Sequence, residues 1–189
     1  MKVTAICGSA HKSGNTETIM KLVLQELQAQ QIETELIPLC DLEIQPCKGC
    51  FGCKGKKQCV AIKDDFAECF ERMVSAQGIL LGSPVYSADI SAKMKAFLER
   101  AGVVVACNPG LLKYKVCASV AAVRRGGGLT TVDTMNHFFL NKETVLVGST
   151  YWNMVYGKES GEVLQDEEGI KNMKNLGENM AWVLKRLYD

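Results

Sequence analysis

Four cysteines, Cys47, Cys50, Cys53 and Cys59, fall within thirteen residues in the spacing C-x2-C-x2-C-x5-C. Three thiolates set two residues apart reach one small object, and the fourth closes the site. A run this compact resembles the one that holds an iron–sulfur cluster. A structural zinc site instead splits its ligands into two pairs separated by a dozen or more residues. The run therefore favours a [4Fe–4S] cluster and electron transfer, against two competing readings, zinc and unmetallated thiols. Lys48, Lys54, Lys56 and Lys57 surround the run. They either offset the negative charge of a thiolate-bound cluster or form an ordinary solvated loop.

A second chemistry lies at the N-terminus. The apolar run Val3 to Cys7 leads into Gly8-Ser9-Ala10-His11-Lys12-Ser13-Gly14-Asn15-Thr16, and a helical pattern follows. Free backbone N–H groups and the positive end of the helix dipole attract a phosphate at such a place. Ser9, Ser13, Asn15 and Thr16 add hydrogen-bonding side chains, and His11 and Lys12 add charge. Gly14 is part of the same loop. The plainer reading is a polar strand-to-helix turn with Asn15 or Thr16 as N-cap.

Two further loops fit a flat ring joined to that phosphate. Ser83-Pro84-Val85-Tyr86-Ser87 follows an apolar strand and offers an apolar wall, an aromatic face and backbone N–H groups; alone it is equally a tight turn. Arg124-Arg125-Gly126-Gly127-Gly128 lets backbone approach a ligand edge, with Arg124 or Arg125 beside an anionic ring or phosphate; the alternative is a flexible surface turn. Trp152-Asn153 either caps the site or packs at a surface. His137 reads as a packed or surface residue in an apolar helical stretch. No Ser, His and Asp combination suggests a hydrolase. Cys7, Cys69, Cys107 and Cys117 read as small buried hydrophobes, and Cys40 as a spare thiol.

These loops need elements to hold them. Apolar strands are expected at Val3–Cys7, Thr34–Leu39, Gly78–Gly82, Lys115–Val123 and Val145–Gly148. Helices are expected at Glu17–Gln31, Asp64–Ala76, Ile90–Ala101 and Ile170–Leu187, each with an apolar face at helical period. Strands this apolar belong to a parallel sheet covered on both faces. The natural arrangement is a flavodoxin-like, doubly wound α/β fold of five strands in the order 2-1-3-4-5, with its ligand at the switch between strands one and three. Residues 40–63 have no period and read as a cysteine-rich insertion after the second strand. One domain over residues 1–189 is expected.

The balance of 22 Lys and Arg against 21 Asp and Glu gives a net charge of +1, with no basic excess to attract nucleic acid. No apolar segment approaches the roughly 18 residues that span a bilayer. The nine cysteines are odd in number and do not read as a secreted disulfide framework, so a reducing, cytoplasmic setting is expected.

With these motifs in view, the whole chain resembles the flavodoxin-like NADPH-dependent FMN reductases, and within them the iron–sulfur flavoproteins. The resemblance rests on G-S-x-x-x-S-G-N-T (Gly8–Thr16), S-P-V-Y (Ser83–Tyr86), M-K-x-F-L-E-R (Met94–Arg100), the Gly126–Gly128 turn and the cysteine run. It implies that Ser9, Ser13, Asn15 and Thr16 hold the FMN phosphate, and that Ser83–Tyr86 and Gly126–Gly128 hold the isoalloxazine. Cys47, Cys50, Cys53 and Cys59 then ligate the [4Fe–4S] cluster. The implied partners are NAD(P)H or a redox protein, with a small-molecule acceptor as a further candidate, and neither nucleic acid nor membrane. A homodimer or homotetramer is implied, with FMN near a subunit interface and a cluster within reach of a flavin. Two readings compete: an NAD(P)H-dependent flavin or quinone reductase with empty cysteines, and a zinc-stabilised nucleotide-binding module without turnover.

Overall fold

A computed structural model describes residues 1–188. Strand β1 (Lys2–Cys7) leads through the polar loop into α1 (Asn15–Ala29) and β2 (Glu33–Pro38). After a long loop come α2 (Phe66–Ser75), β3 (Gly78–Pro84), α3 (Ala92–Ala106), β4 (Val116–Val123) and α4 (Gly128–Leu140). Two short strands, β5 (Val145–Leu146) and β6 (Met154–Tyr156), precede a 3-10 turn (Glu162–Gln165) and α5 (Glu167–Tyr188). All pairings are parallel, and the sheet runs β2-β1-β3-β4-β5, with β6 also against β4. This is the flavodoxin-like order expected from the apolar strands. Among the described residues, no helix is long and apolar enough to cross a membrane.

The period-two alternation of the strands divides the core into two halves. Val3, Ala5 and Cys7 of β1 face α1 and α5, where Val23, Leu27, Met173, Met180 and Leu184 are buried. Ile6, Ile79 and Leu81 face the other way, onto Phe66, Phe70, Met73, Met94 and Phe97 of α2 and α3. Every residue of β4 is buried, as a central strand covered on both faces requires.

The elements depart from expectation in three places. The fifth strand is split: β5 pairs with Val116 and Cys117, β6 pairs with Ala121 to Val123, and 148–152 leave the sheet between the last bond of one (Val147 N–H to Cys117 O, 2.8 Å) and the first of the other (Ala121 N–H to Asn153 O, 3.0 Å). The cause lies in α5, where Asn172 is buried. Its Oδ1 accepts from Thr150 Oγ1 (3.2 Å) and the Tyr151 N–H (3.1 Å), and its Nδ2 donates to Trp152 O (2.7 Å). A side-chain amide thus takes over the partners that a neighbouring strand would supply. Helix α3 runs past Ala101 to Ala106, because burial of Val104 and Val105 outweighs the low helix propensity of Gly102. The stretch around His137 is α4, with Met135, Phe138 and Phe139 inward.

The cysteine-bearing loop between β2 and α2 has no regular structure, as expected, but its neck is tightly closed. The Glu43 N–H donates to Asp65 Oδ2 (2.7 Å) and the Gln45 N–H to Asp64 Oδ2 (2.8 Å). Arg100 on α3 pairs with Asp64 (2.6 Å) and donates to Gln45 O (3.2 Å) and Ile62 O (3.1 Å). Asn108, just past the end of α3, donates to Cys53 O (3.0 Å) and accepts from the Lys57 N–H (3.1 Å). The run is therefore docked along the second half of α3.

Candidate functional site

A cavity of about 610 Å³ opens at the carboxyl ends of β1, β3 and β4, at the switch point of the sheet. Its floor is the loop into α1. Close approach builds that floor: a Cβ on Gly8 would stand 2.7 Å from Met94 Cβ. Only glycine lets the end of β1 lie on α3. The Ser91 hydroxyl, which caps α3 by accepting from the Met94 N–H, donates to Gly8 O (2.6 Å).

Gly14 is the N-cap of helix α1, and no side chain caps the helix. The alternative in which Asn15 or Thr16 acts as N-cap therefore does not hold. Glu17 accepts from the Ser13 N–H (2.8 Å). Lys21 holds the Glu17 carboxyl below its ordinary range against the opposing effect of burial, and the Ser13 N–H helps. Among the described residues, nothing accepts from the N–H groups of Asn15 and Thr16. A helix N-terminus with free donors, facing a cavity, fits a phosphate.

The cavity is lined by Ser9, His11, Lys12, Gly14, Asn15, Thr16, Pro84, Val85, Tyr86 and Arg124, all expected from sequence. Ala122, Gly157, Lys158 and Ser160 line it as well. The Ser9 hydroxyl accepts from the His11 N–H (3.1 Å) and donates to His11 O (3.0 Å), which folds the loop back on itself. Lys12 is paired with Asp41 (2.5 Å), so its charge is partly neutralised at the rim.

Asn15 does something its position in the motif did not disclose. Its Nδ2 donates to Glu159 O (2.9 Å) and Gly157 O (3.3 Å), and its Oδ1 accepts from the Gly161 N–H (2.8 Å). The side chain fastens the 157–161 loop over the cavity and so leaves the phosphate position to backbone donors. Only the clustering of small and charged residues at Gly157-Lys158-Glu159-Ser160-Gly161 signalled that loop in the sequence.

Several expected residues lie outside the lining. Ser83 is fully buried; its hydroxyl accepts from the Ser91 N–H (3.0 Å) and donates to Pro84 O (2.8 Å), fixing the start of α3. Ser13 and Ser87 adopt left-handed backbone (φ 53° and 51°) and are not part of the cavity lining. Gly127 has φ 83°, and a Cβ there would stand 2.7 Å from Ala88 Cα and 2.9 Å from Val85 Cγ1. It serves the packing of the 85–88 turn against α4, while Gly128 packs on Met154 and Val123 and Gly126 faces open space. Trp152 and Asn153 line a separate pocket beside α4.

The second site is the cysteine run. Cys47, Cys50, Cys53 and Cys59 all line one narrow enclosure of about 20 Å³, closed by Ile62, Val103, Val104 and Arg100. Its outer wall is the exposed turn at Cys50 and Phe51; its inner wall is α3. Burial pushes the Cys53 thiol up, and the adjacent Cys107 pushes it further. Burial also pushes on Cys59, but Arg100 and the backbone of Ala61 and Ile62 outweigh it and hold that thiol below its ordinary range. Among the described residues, no three His, Cys, Asp or Glu side chains converge on a point that would hold one metal ion. A lone zinc needs four sulfurs within about 3.8 Å of one another, given Zn–S bonds near 2.3 Å. A cluster binds each thiolate to a different iron, so its ligands stand farther apart. The four thiols that share the enclosure are of the type and number that a [4Fe–4S] cluster uses as ligands. Cys7 and Cys69, pushed up to about 11 by burial, and buried Cys117 are the inert core thiols expected. Cys107 is only partly buried and touches the enclosure through Cys53.

The sequence profile described as NADPH-dependent FMN reductase matches residues 1–159. The chain belongs to the NADPH-dependent FMN reductase family. Within it, the chain is 37% identical to an iron–sulfur flavoprotein of Methanocaldococcus jannaschii over 98% of both chains. It is 34% identical to the iron–sulfur flavoprotein of Methanosarcina thermophila over 78% of both. Among solved structures, RosB with a bound 8-demethyl-8-formylriboflavin-5'-phosphate superimposes with a TM-score of 0.76 at 14% identity, covering 99% of this chain and 80% of that one. At that identity the likeness is one of fold. The chain is thus a family member of the iron–sulfur flavoprotein branch, and the family match spans both the cavity and the cysteine run.

Proposed function

We propose that this chain is an FMN-dependent oxidoreductase that relays electrons between FMN in the switch-point cavity and a [4Fe–4S] cluster in the cysteine enclosure. FMN supplies one- and two-electron chemistry and the cluster one-electron chemistry, so the protein's task is to bind, orient and tune. The Asn15 and Thr16 N–H groups receive the phosphate, with the Thr16 hydroxyl beside them. Pro84, Val85 and Tyr86 wall the ring, Arg124 faces its polar edge, and Gly157, Lys158 and Ser160 close over it. Cys47, Cys50, Cys53 and Cys59 are the cluster ligands. The scheme calls for no protein acid or base.

The gathering of all four thiols of the run onto one enclosure carries this reading, because the alternative of a plain flavin reductase gives them no reason to converge. Cavity and enclosure share no lining residue. Helix α3 separates them: from buried Ser91, bonded to Gly8 O under the cavity floor, to Arg100–Val104 at the enclosure is about 14–20 Å at 1.5 Å per residue. Exposed Phe51 beside the enclosure and exposed Tyr86 at the cavity support a homodimer or homotetramer in which one chain's enclosure approaches another's cavity. The electron donor is NAD(P)H or a redox protein. Anaerobic reductive titration of the loaded protein tests the relay. Uptake of about three electrons per chain, two to flavin and one to cluster, supports it; uptake of two, with no paramagnetic signal from iron, refutes it.

A further inference from the structure

Arg100 closes the M-K-x-F-L-E-R segment on α3 and is 1% exposed. Its guanidinium is clamped from three sides. Nη1 donates to Asp64 Oδ2 (2.6 Å) and Gln45 O (3.2 Å), Nη2 donates to Ile62 O (3.1 Å), and the group lies 4.2 Å above the Phe66 ring. Two of its five N–H bonds are left over, the second on Nη2 and the one on Nε. Nε is buried and, alone among the three nitrogens, has no hydrogen-bond partner at all among the described residues. An unpaired buried N–H is costly, and the rigid planar fork allows it no other direction. The side chain lines the cysteine enclosure, where it adjoins Cys59.

We infer that the Nε–H of Arg100 donates a hydrogen bond to a sulfur of the cluster or of its Cys59 ligand, and that this bond raises the cluster's reduction potential. The inference rests on the cluster reading above. Asp64 neutralises the formal charge of Arg100, so what the enclosure receives is chiefly a fixed N–H dipole. One electron entering the cluster adds one negative charge. The guanidinium keeps its protons in both states, and no proton moves. A hydrogen bond to sulfur is stronger when that sulfur bears more charge, so it favours the reduced state. Arg100 is on this account a tuning residue through Nε as well as the structural clamp that closes the loop neck through Nη1 and Nη2.

Two measurements test it. The parent protein is labelled with 15N-arginine, and its reduced cluster is examined by pulsed paramagnetic resonance. Arg72, Arg124, Arg125 and Arg186 do not line the enclosure of their own chain, and a labelled Arg124→Lys protein excludes the arginine at a neighbouring chain's cavity, so a coupling that survives that change reports Arg100. In parallel, Arg100→Lys keeps a cation able to meet Asp64 but removes the Nε–H. The expected results are a 15N coupling in the parent and a lower midpoint potential in Arg100→Lys. The ratio of reduced to oxidised cluster should fall about tenfold at fixed potential, or about 59 mV for one electron. An iron-replete parent without coupling, or an iron-replete Arg100→Lys with unmoved potential, overturns the role of Arg100 alone. If the variant fails to fold or to hold iron, the labelled parent decides. A parent without iron overturns the cluster reading and this inference with it.

Discussion

Asn15→Ala separates two accounts of the cavity. If the Asn15 amide held the phosphate, the variant would lose affinity for FMN and keep its affinity for riboflavin, which has no phosphate. The structure assigns the amide to the 157–161 loop, through three hydrogen bonds of 2.8, 2.9 and 3.3 Å. At about 0.5–1 kcal/mol net for each partly exposed bond, the closed loop loses about 2 kcal/mol, roughly a 30-fold change in its population. Where only the closed loop is competent to bind, that factor appears in the dissociation constant. Fluorescence titration of the flavin-free protein should therefore show FMN and riboflavin weakened by the same factor, up to about 30-fold. Loss confined to FMN, or parent affinity for both, would refute the loop assignment.

Cys50→Ala should abolish bound iron and leave FMN in place, because the enclosure and the cavity share no residue; iron equal to the parent in anaerobically purified variant removes Cys50 from the ligand set. Gly127→Ala forces a side chain into φ 83° and against Ala88. At about 1–2 kcal/mol for the backbone alone, a calorimetric melting temperature should drop by about 2–8 °C. FMN should weaken as Val85 is displaced, and an unchanged melt would contradict the packing role. Glu35 is held below the ordinary carboxylate value of 4.5 by Arg72, with Lys2 assisting against burial. A depressed carboxyl contributes stability above that value and loses it as pH falls through its folded pKa. Glu35→Gln should thus cost about 1 kcal/mol or less at pH 7 and flatten the fall of melting temperature below about pH 4.5; an unaltered acid limb would exclude Glu35 from it.

Much of this was legible in the residues. The apolar central strands β1, β3 and β4 mark a parallel sheet covered on both faces, the order 2-1-3-4-5 is that of the doubly wound fold, and the cysteine spacing marks its own loop. What escaped was mostly set by side chains meeting across long sequence distances. The split of the fifth strand depends on Asn172, twenty residues or more from the backbone it satisfies. The loop over the cavity depends on Asn15, which motif reading assigned to phosphate. Ser83 stands in a motif at the right strand end, but the pleat turns it into the core, where it holds the Ser91 N–H. Gly127 and Gly128 offer room for a ligand in the sequence pattern, and the fold fills that room with neighbouring protein. Arg100, a charge beside the apolar stripe Met94, Phe97 and Leu98, carried a signal in its place in the pattern. Its partner Asp64 shows why it is tolerated there.

Iron, acid-labile sulfide and flavin analysis of one anaerobic preparation, read with the paramagnetic resonance spectrum of its reduced form, tests the central claim most directly. The account predicts one FMN per chain with about four iron and four sulfide, and a cluster signal on reduction. A yellow protein holding flavin without iron, or a colourless one holding a single zinc, would contradict it.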